Sequence, residues 1–202
     1  MTEIWIARHG QNEDNANGLL NGHRDLPLTD LGREQARQLG EGIEAAGLMF
    51  DAVYSSPLSR AYETAVIAAQ VAGLPEPIKY DDLIERDFGV MTGMPIDSVE
   101  RLCAPDIVKT ATITYFLSPE GAETFDDLVT RGEKILRDMR SKHIGEKVLM
   151  VCHGDIGKMI YAAATGKSWR SVLIDFHFGN GELIETSGAG EAHKIKLPQF
   201  NH

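Results

Sequence analysis

The sequence predicts an α/β fold, a three-layer sandwich with a mostly parallel central sheet flanked by helices. Strand-like apolar runs alternate with helix-length amphipathic segments through most of the 202 residues. Two runs, Ile4-Trp5-Ile6-Ala7 and Val148-Leu149-Met150-Val151, are apolar throughout, as strands covered on both faces require. No Pro/Ser/Gly-rich linker, repeat or sharp change in composition divides the chain, so residues 1–202 read as one domain with one core.

The first strand spans about Glu3 to Ala7. A loop rich in Gly and Asn, from Gly10 to Pro27, follows and reads as non-helical. Leu28-Thr29-Asp30-Leu31-Gly32 opens a helix to about Ala46, with Thr29 or Asp30 as N-cap and Gly47 as its stop. Asp51 to Ser55 forms a short second strand. The next helix takes Ser56 as N-cap and Pro57 at its first position, and ends before Gly73. Ile78 to Leu83 reads as a third strand. From Met94 to Pro119 the pattern blurs around Pro95, Pro105 and Pro119, and this segment reads as an insertion lying over the sheet and the active site.

Phe125, Leu128, Val129, Ile135, Leu136 and Met139 mark a helix to about Lys142. Val148 to Cys152 is a buried strand, and Ile156 to Ala164 a helix stopped by Gly166. Leu173 to Phe178, Glu182 to Thr186 and Ala192 to Leu197 read as extended strands.

The composition, 43% apolar and 25% charged, is that of a globular chain. Cys103 and Cys152 cannot make a disulfide framework, so a reducing, cytoplasmic setting is the expectation. Glu3 and Arg8 interrupt any signal-peptide core, and no apolar run approaches the ~18 residues of a membrane span. The formal charge of −10 argues against nucleic acid or an anionic membrane as partner. It leaves room for a small anion, because clustered arginines dominate the field inside a cleft.

The chemistry-bearing residues gather where strands stop. Arg8-His9-Gly10 ends the first strand, and Cys152-His153-Gly154 ends the strand far down the chain. A neutral imidazole is a nucleophile near pH 7, and a guanidinium grips phosphate oxygens bidentately. Arg60 lies just beyond the second strand and Glu85 beyond the third, so four segments deliver polar groups to the carboxyl rim of one sheet. Arg60 falls in the first turn of a helix, where the macrodipole disfavours a cation. A neighbouring anion would explain that, and a solvated surface arginine is the alternative. His23, in the loop after the first strand, is the histidine best placed among the rest to touch substrate.

Together these segments resemble the histidine phosphatase superfamily, the phosphoglycerate mutase-like family. The resemblance rests on Arg8-His9-Gly10-Gln11-Asn12-Glu13-Asp14-Asn15, on Leu28-Thr29-Asp30-Leu31-Gly32-Arg33-Glu34-Gln35-Ala36, and on Ser55-Ser56-Pro57-Leu58-Ser59-Arg60-Ala61-Tyr62-Glu63-Thr64-Ala65. Leu83-Ile84-Glu85-Arg86-Asp87-Phe88-Gly89 and Val151-Cys152-His153-Gly154 complete it. It implies a phosphoglycerate mutase-like fold with His9 as the phosphoryl-accepting nucleophile. Arg8, Asn15, Arg60, His153 and Gly154 would hold the phosphoryl group, and Glu85 would be general acid and then base. It implies no cofactor and no metal, since two arginines take the place of a cation. The partner it implies is a small phosphorylated metabolite.

The chain departs from the family pattern at Val90-Met91-Thr92-Gly93 and at Gly121-Ala122-Glu123-Thr124, with Arg131 downstream. Both departures touch regions that shape substrate choice. Within the insertion, Arg101, Lys109, Tyr115 and Phe116 are candidate contacts. Hydrolysis of a phosphomonoester is the first expectation and mutase-type phosphotransfer the second. A catalytically inactive binding member and a metal-dependent phosphoesterase fit the residues less well, because His9 and its arginines are present, no Asp-x-His opens the chain and no His-x-His cluster occurs in it.

Overall fold

A computed structural model describes residues 1–186 and 194–195, the last two through their backbone alone. Its centre is a six-stranded sheet in the order β3-β2-β6-β1-β7-β8. The strands are β1 (Glu3–Arg8), β2 (Ala52–Ser55), β3 (Ile78–Lys79), β6 (Lys147–Cys152), β7 (Leu183–Glu185) and β8 (Lys194–Ile195). The first four pair in parallel, and β7 and β8 add antiparallel edges. The three-layer α/β arrangement expected from the sequence is the one found.

Alternation along the strands builds the layers. Ile4 and Ile6 of β1 join Val148, Met150 and Cys152 of β6 on one face. They pack there against α5 (Phe125–Lys142), α6 (Gly154–Thr165) and α7 (Trp169–Asp175). Trp5 and Ala7 join Val53, Leu149 and Val151 on the other face, under α2 (Asp30–Ala45) and α3 (Ser59–Ala72). Glycines past the helix ends act as stops: Gly73 and Gly166 take positive φ of 64° and 69°. Among the described residues, no helix is long and apolar enough to cross a membrane.

Several expectations are corrected. The Gly10–Pro27 loop contains a one-turn helix α1 (Glu13–Ala16), because Asn12 and Asn15 cap each other's backbone N–H groups. Helix α3 begins at Ser59 rather than after Ser56. The Ser56 N–H still extends the sheet ladder to the Val151 carbonyl, and the Ser59 N–H is capped from a distance by Asp25. The third strand stops at Lys79, and Asp81–Leu83 turn into a 3₁₀ helix. Leu173–Phe178 is not a strand: Ser168 caps α7, which carries Val172 and Leu173 into the core while Phe176 stacks on Tyr161 at 4.1 Å. Apolar alternation through Phe176-His177-Phe178 imitated a strand. Of Ala192–Leu197 only Lys194–Ile195 lies within the described residues, and it is extended.

The segment 94–119 holds a 3₁₀ turn (Ile96–Ser98), α4 (Val99–Cys103) and a separate antiparallel hairpin of β4 (Ile107–Lys109) and β5 (Thr114–Phe116). Val99 and Phe116 pack with Phe88 and Met91 into a small third cluster.

Gly10 and Gly32 bring the first strand-end turn against the start of α2. A Cβ at Gly32 would fall on the Gln11 carbonyl oxygen, and one at Gly10 on the Gly32 carbonyl. Both neighbours are backbone, which cannot move aside as a flexible side chain can. We therefore expect Gly32→Ala to lose about 1–3 kcal/mol of stability in urea unfolding. A loss below roughly 0.5 kcal/mol, the range of an ordinary surface change, would contradict this contact.

Candidate active site

The β1–β6 register sets the site. Arg8 lies opposite Cys152, and the His9 N–H donates to the Cys152 carbonyl at 3.0 Å, so His9 and His153 leave the sheet side by side. Their ring centroids are 5.0 Å apart and both side chains are buried.

Partner chemistry assigns the protons. The Gly10 carbonyl can only accept, and it lies 2.6 Å from His9 Nδ1, so Nδ1 carries the hydrogen and Nε2 a lone pair. Burial, with Arg60 and Arg8 nearby, holds the His9 pKa well below the ordinary imidazole value. His153 is the opposite tautomer. Arg60 Nε donates to its Nδ1 at 3.2 Å, so its Nε2–H donates to Ser56 Oγ at 2.7 Å. Burial and then Arg60 likewise hold His153 neutral.

Arg60 is fully buried, which disposes of the solvated alternative. Beyond His153, its terminal nitrogens donate to the Arg24 and Gly22 carbonyls, which leaves two of the five guanidinium N–H donors for an incoming anion. Burial pulls its pKa down to about 10, so it remains charged at neutral pH. Arg8 Nη1 donates to the Phe178 carbonyl at 2.8 Å, while its buried Nε has no hydrogen-bond partner among the described residues.

Glu85 sits at the N-terminus of α6. Its carboxyl oxygens accept from the N–H groups of Arg86 at 2.9 Å, Ile156 at 3.1 Å and Asp155 at 3.3 Å. Burial is the largest influence on it and, with the Asp155 charge, raises its pKa above the ordinary carboxylate value against the pull of those donors and of Arg60. A Cβ at Gly154 would lie 3.5 Å from the Arg8 guanidinium carbon and 3.7 Å from Glu85 Oε2, so both groups meet at this helix start. Among the described residues, no cluster of three His, Cys, Asp or Glu side chains could hold a metal ion.

Arg8, His9, Asn15, Arg60, Glu85 and Gly154 share the wall of one cavity of about 430 Å³. His153 lies behind them, against His9 and Arg60. His23 does not line the cavity: its Nε2 hydrogen-bonds to the Glu85 carbonyl at 2.7 Å, so it supports the Glu85 loop rather than reaching inward. Of the insertion residues, Tyr115 and Phe116 line the cavity. Lys109 instead pairs with Glu100 on the surface, and Arg101 lies outside the lining.

Sequence reasoning missed four residues. Ser56 was read as a helix cap and is the partner of His153. Asn180 donates to the His9 carbonyl at 2.8 Å and to Asn15 at 3.3 Å. Arg86, fully buried, donates to the carbonyls of Glu123, Phe116 and Leu117. Lys158 lines the cavity from α6, and a lysine inside the apolar run Ile156–Ala164 was the available signal. Arg131 holds the carbonyls of Asp82, Ile84 and Glu85 and pairs with Glu123 at 2.6 Å, so both fix the Glu85 segment.

Residues 4–200 match the model of the histidine phosphatase superfamily (branch 1). The chain belongs to that family. It is 34% identical over 207 residues to a metal-independent phosphoserine phosphatase of Arabidopsis thaliana, covering 96% of this chain and 83% of that protein. It is 36% identical over 159 residues to a 2,3-bisphosphoglycerate-dependent phosphoglycerate mutase of Parvibaculum lavamentivorans, covering 75% and 74%. Among solved structures, Bacillus stearothermophilus YhfR superposes with a TM-score of 0.75 at 26% identity, covering 96% of this chain and 95% of that one. The family is one of phosphatases and mutases, and this chain is an enzyme of that kind.

His153 is buried neutral, whereas in the unfolded chain it titrates near pH 6.5. A lowered folded pKa means that unfolding takes up a proton below about pH 6.5, so stability present above that pH falls as the solution is acidified. We expect His153→Gln to lose urea-unfolding free energy less steeply than the parent between pH 7 and 5, by up to roughly 1.4 kcal/mol per pH unit. Glu85, with a raised pKa, acts in the opposite sense in both proteins, so the comparison isolates the histidine. An unchanged slope would mean that His153 is protonated when folded.

Proposed function

We propose that this chain is a metal-independent phosphomonoesterase that acts on a small phosphorylated metabolite through a phosphohistidine on His9. The observation that carries this reading is the state of His9: Nδ1 is tied to the Gly10 carbonyl, and Nε2 is left with its lone pair beside two guanidinium groups. The depressed pKa keeps that lone pair available at neutral pH and below.

Nε2 attacks phosphorus in line with the leaving oxygen. Arg8, Arg60 and Asn15 hold the equatorial oxygens, and the unpartnered Arg8 Nε gains an acceptor. Glu85 gives its proton to the departing alkoxide, and its raised pKa keeps that proton on the carboxyl above the usual range. In the second step a water gives its proton to Glu85 and attacks the phosphohistidine, which releases phosphate and returns His9 to its neutral form. Ser56 holds His153, and through it Arg60, during both steps.

Mutase-type transfer is the second reading, favoured by the 36% identity to the bacterial mutase. Hydrolysis is preferred because the cavity cations beyond Arg8 and Arg60 are Arg86, committed to three carbonyls, and Lys158. Among the described residues, that leaves no second guanidinium pair for another phosphate. Incubation with 3-phosphoglycerate and a trace of 2,3-bisphosphoglycerate separates the two, and isomerisation outpacing phosphate release would reverse the choice.

His9→Ala should abolish turnover and the acid-labile, base-stable phosphoenzyme, and turnover retained in that variant rules out the covalent route. Glu85→Gln should slow alkyl phosphates by roughly 10²–10⁴-fold and aryl phosphates far less, because their leaving groups need little protonation. Equal losses on both would remove Glu85 from the acid role.

A further inference from the structure

Arg60 is aimed by groups outside its own helix. Its two terminal nitrogens donate to the Gly22 and Arg24 carbonyls, so the direction of the guanidinium follows the loop that carries those carbonyls. Side chains of the α1 turn tie that loop down on either side of Gly22. Asn12 Nδ2 donates to Asn21 Oδ1 before it, and Asp14 binds the Arg24 side chain after it.

The Asp14–Arg24 pair differs from an ordinary surface salt bridge. Arg24 Nε donates to Asp14 Oδ2 at 2.8 Å and Nη2 to Oδ1 at 3.3 Å, a two-pronged contact that fixes the guanidinium plane as well as its place. The Asp14 side chain is only 1% exposed. A carboxylate withdrawn from water needs a charge partner, and here that partner is held at two points. Gly93 lies against the guanidinium, where a Cβ would come within 3.0 Å of Arg24 Nη1. The Asp14 charge also reaches Arg60: burial lowers the Arg60 pKa, and the charges of Glu85, Asp25 and Asp14 oppose it.

The path from Asp14 to the phosphate grip is short. It runs from the carboxylate to the Arg24 guanidinium, down that side chain to its own carbonyl, and on to Arg60 Nη1. The Arg24 N–H is held as well, by the Asn21 carbonyl at 3.0 Å. A residue fixed through both its side chain and its N–H has a carbonyl that cannot swing freely.

We propose that Asp14 and Arg24 are positioning residues, whose ion pair fixes the carbonyl cradle that aims Arg60 at the phosphoryl oxygens. This inference rests on the phosphomonoesterase reading above. A guanidinium displaced by about an ångström still attracts a phosphate dianion, but it no longer meets the oxygens in the geometry of transfer. The parent, Asp14→Asn, Arg24→Ala, Arg24→Lys and the double variant Asp14→Asn/Arg24→Ala are assayed with p-nitrophenyl phosphate, with kcat taken per folded molecule. Inhibition by inorganic phosphate and by orthovanadate is measured in each, because vanadate takes the five-coordinate geometry of the transition state and phosphate does not.

Asp14→Asn and Arg24→Ala should lower kcat about 10–100-fold and leave KM within about threefold of the parent. Vanadate inhibition should weaken in step with kcat, while phosphate inhibition changes by less than about threefold. The double variant should be no worse than the poorer single one, since both break the same link. Arg24→Lys keeps the charge but not the fork, and should fall between Arg24→Ala and the parent. Equal weakening of both inhibitors, an unchanged kcat, or losses that add in the double variant overturn the proposal. If the variants do not fold, the unaltered protein decides: the NMR signal of the Arg24 Nε–H must exchange with water slowly, and exchange as fast as in free arginine overturns the assignment. A parent that does not hydrolyse p-nitrophenyl phosphate defeats the phosphomonoesterase reading, whereas an active parent matched by its variants removes this inference alone.

Discussion

The parallel pairing of β1 with β6 is the constraint on which the site depends. It places Arg8 opposite Cys152 and releases His9 and His153 at the same level of the sheet. A slip of one residue would exchange the faces of the strand, sending Ile4 and Ile6 where Trp5 and Ala7 pack. Core packing and active-site geometry are thus enforced by one register. The apolar residues that hold it are buried on both faces, so the rim is set by the best-packed part of the protein.

Charge burial at that rim is balanced rather than avoided. Two guanidinium groups, two imidazoles and a carboxyl share a small volume, and each has a backbone or side-chain partner that fixes its state. The carbonyls of Gly10, Phe178, Gly22 and Arg24 take N–H donors of His9, Arg8 and Arg60. The start of α6 offers N–H groups to Glu85. Irregular backbone in the loops after the strands, rather than further charged side chains, supplies most of this support.

What could be read from the sequence divides along physical lines. Strand-end histidines followed by glycine, and helix stops at Gly73 and Gly166, are local signals, and they located β1, β6 and the ends of α3 and α6. Ser56 also carries a local signal, that of a helix cap, and it misleads because a histidine from a distant strand captures the same hydroxyl. The side chains of Asp25, Arg86 and Lys158 have partners far along the chain, which no window of sequence displays. His23 was drawn toward substrate by its place in a catalytic loop, yet a carbonyl of the Glu85 segment holds its ring. In α7, apolar alternation and helical spacing coexist in Val172–Phe178, and contact with Tyr161 decides between them.

Arg86 has a mechanical meaning. Its guanidinium packs between Phe116 and Phe125 at 4.6 and 4.1 Å from the ring centres and binds the carbonyls of Phe116 and Leu117, while its own N–H holds Glu85 Oε1. Among the described residues the β4–β5 hairpin has no ladder bond to the main sheet, and Arg86 is a rivet that joins the hairpin to Glu85. Because a packed guanidinium between two rings resists small sliding, a ligand that pressed on the cavity wall would move Glu85, the proposed proton donor, with it.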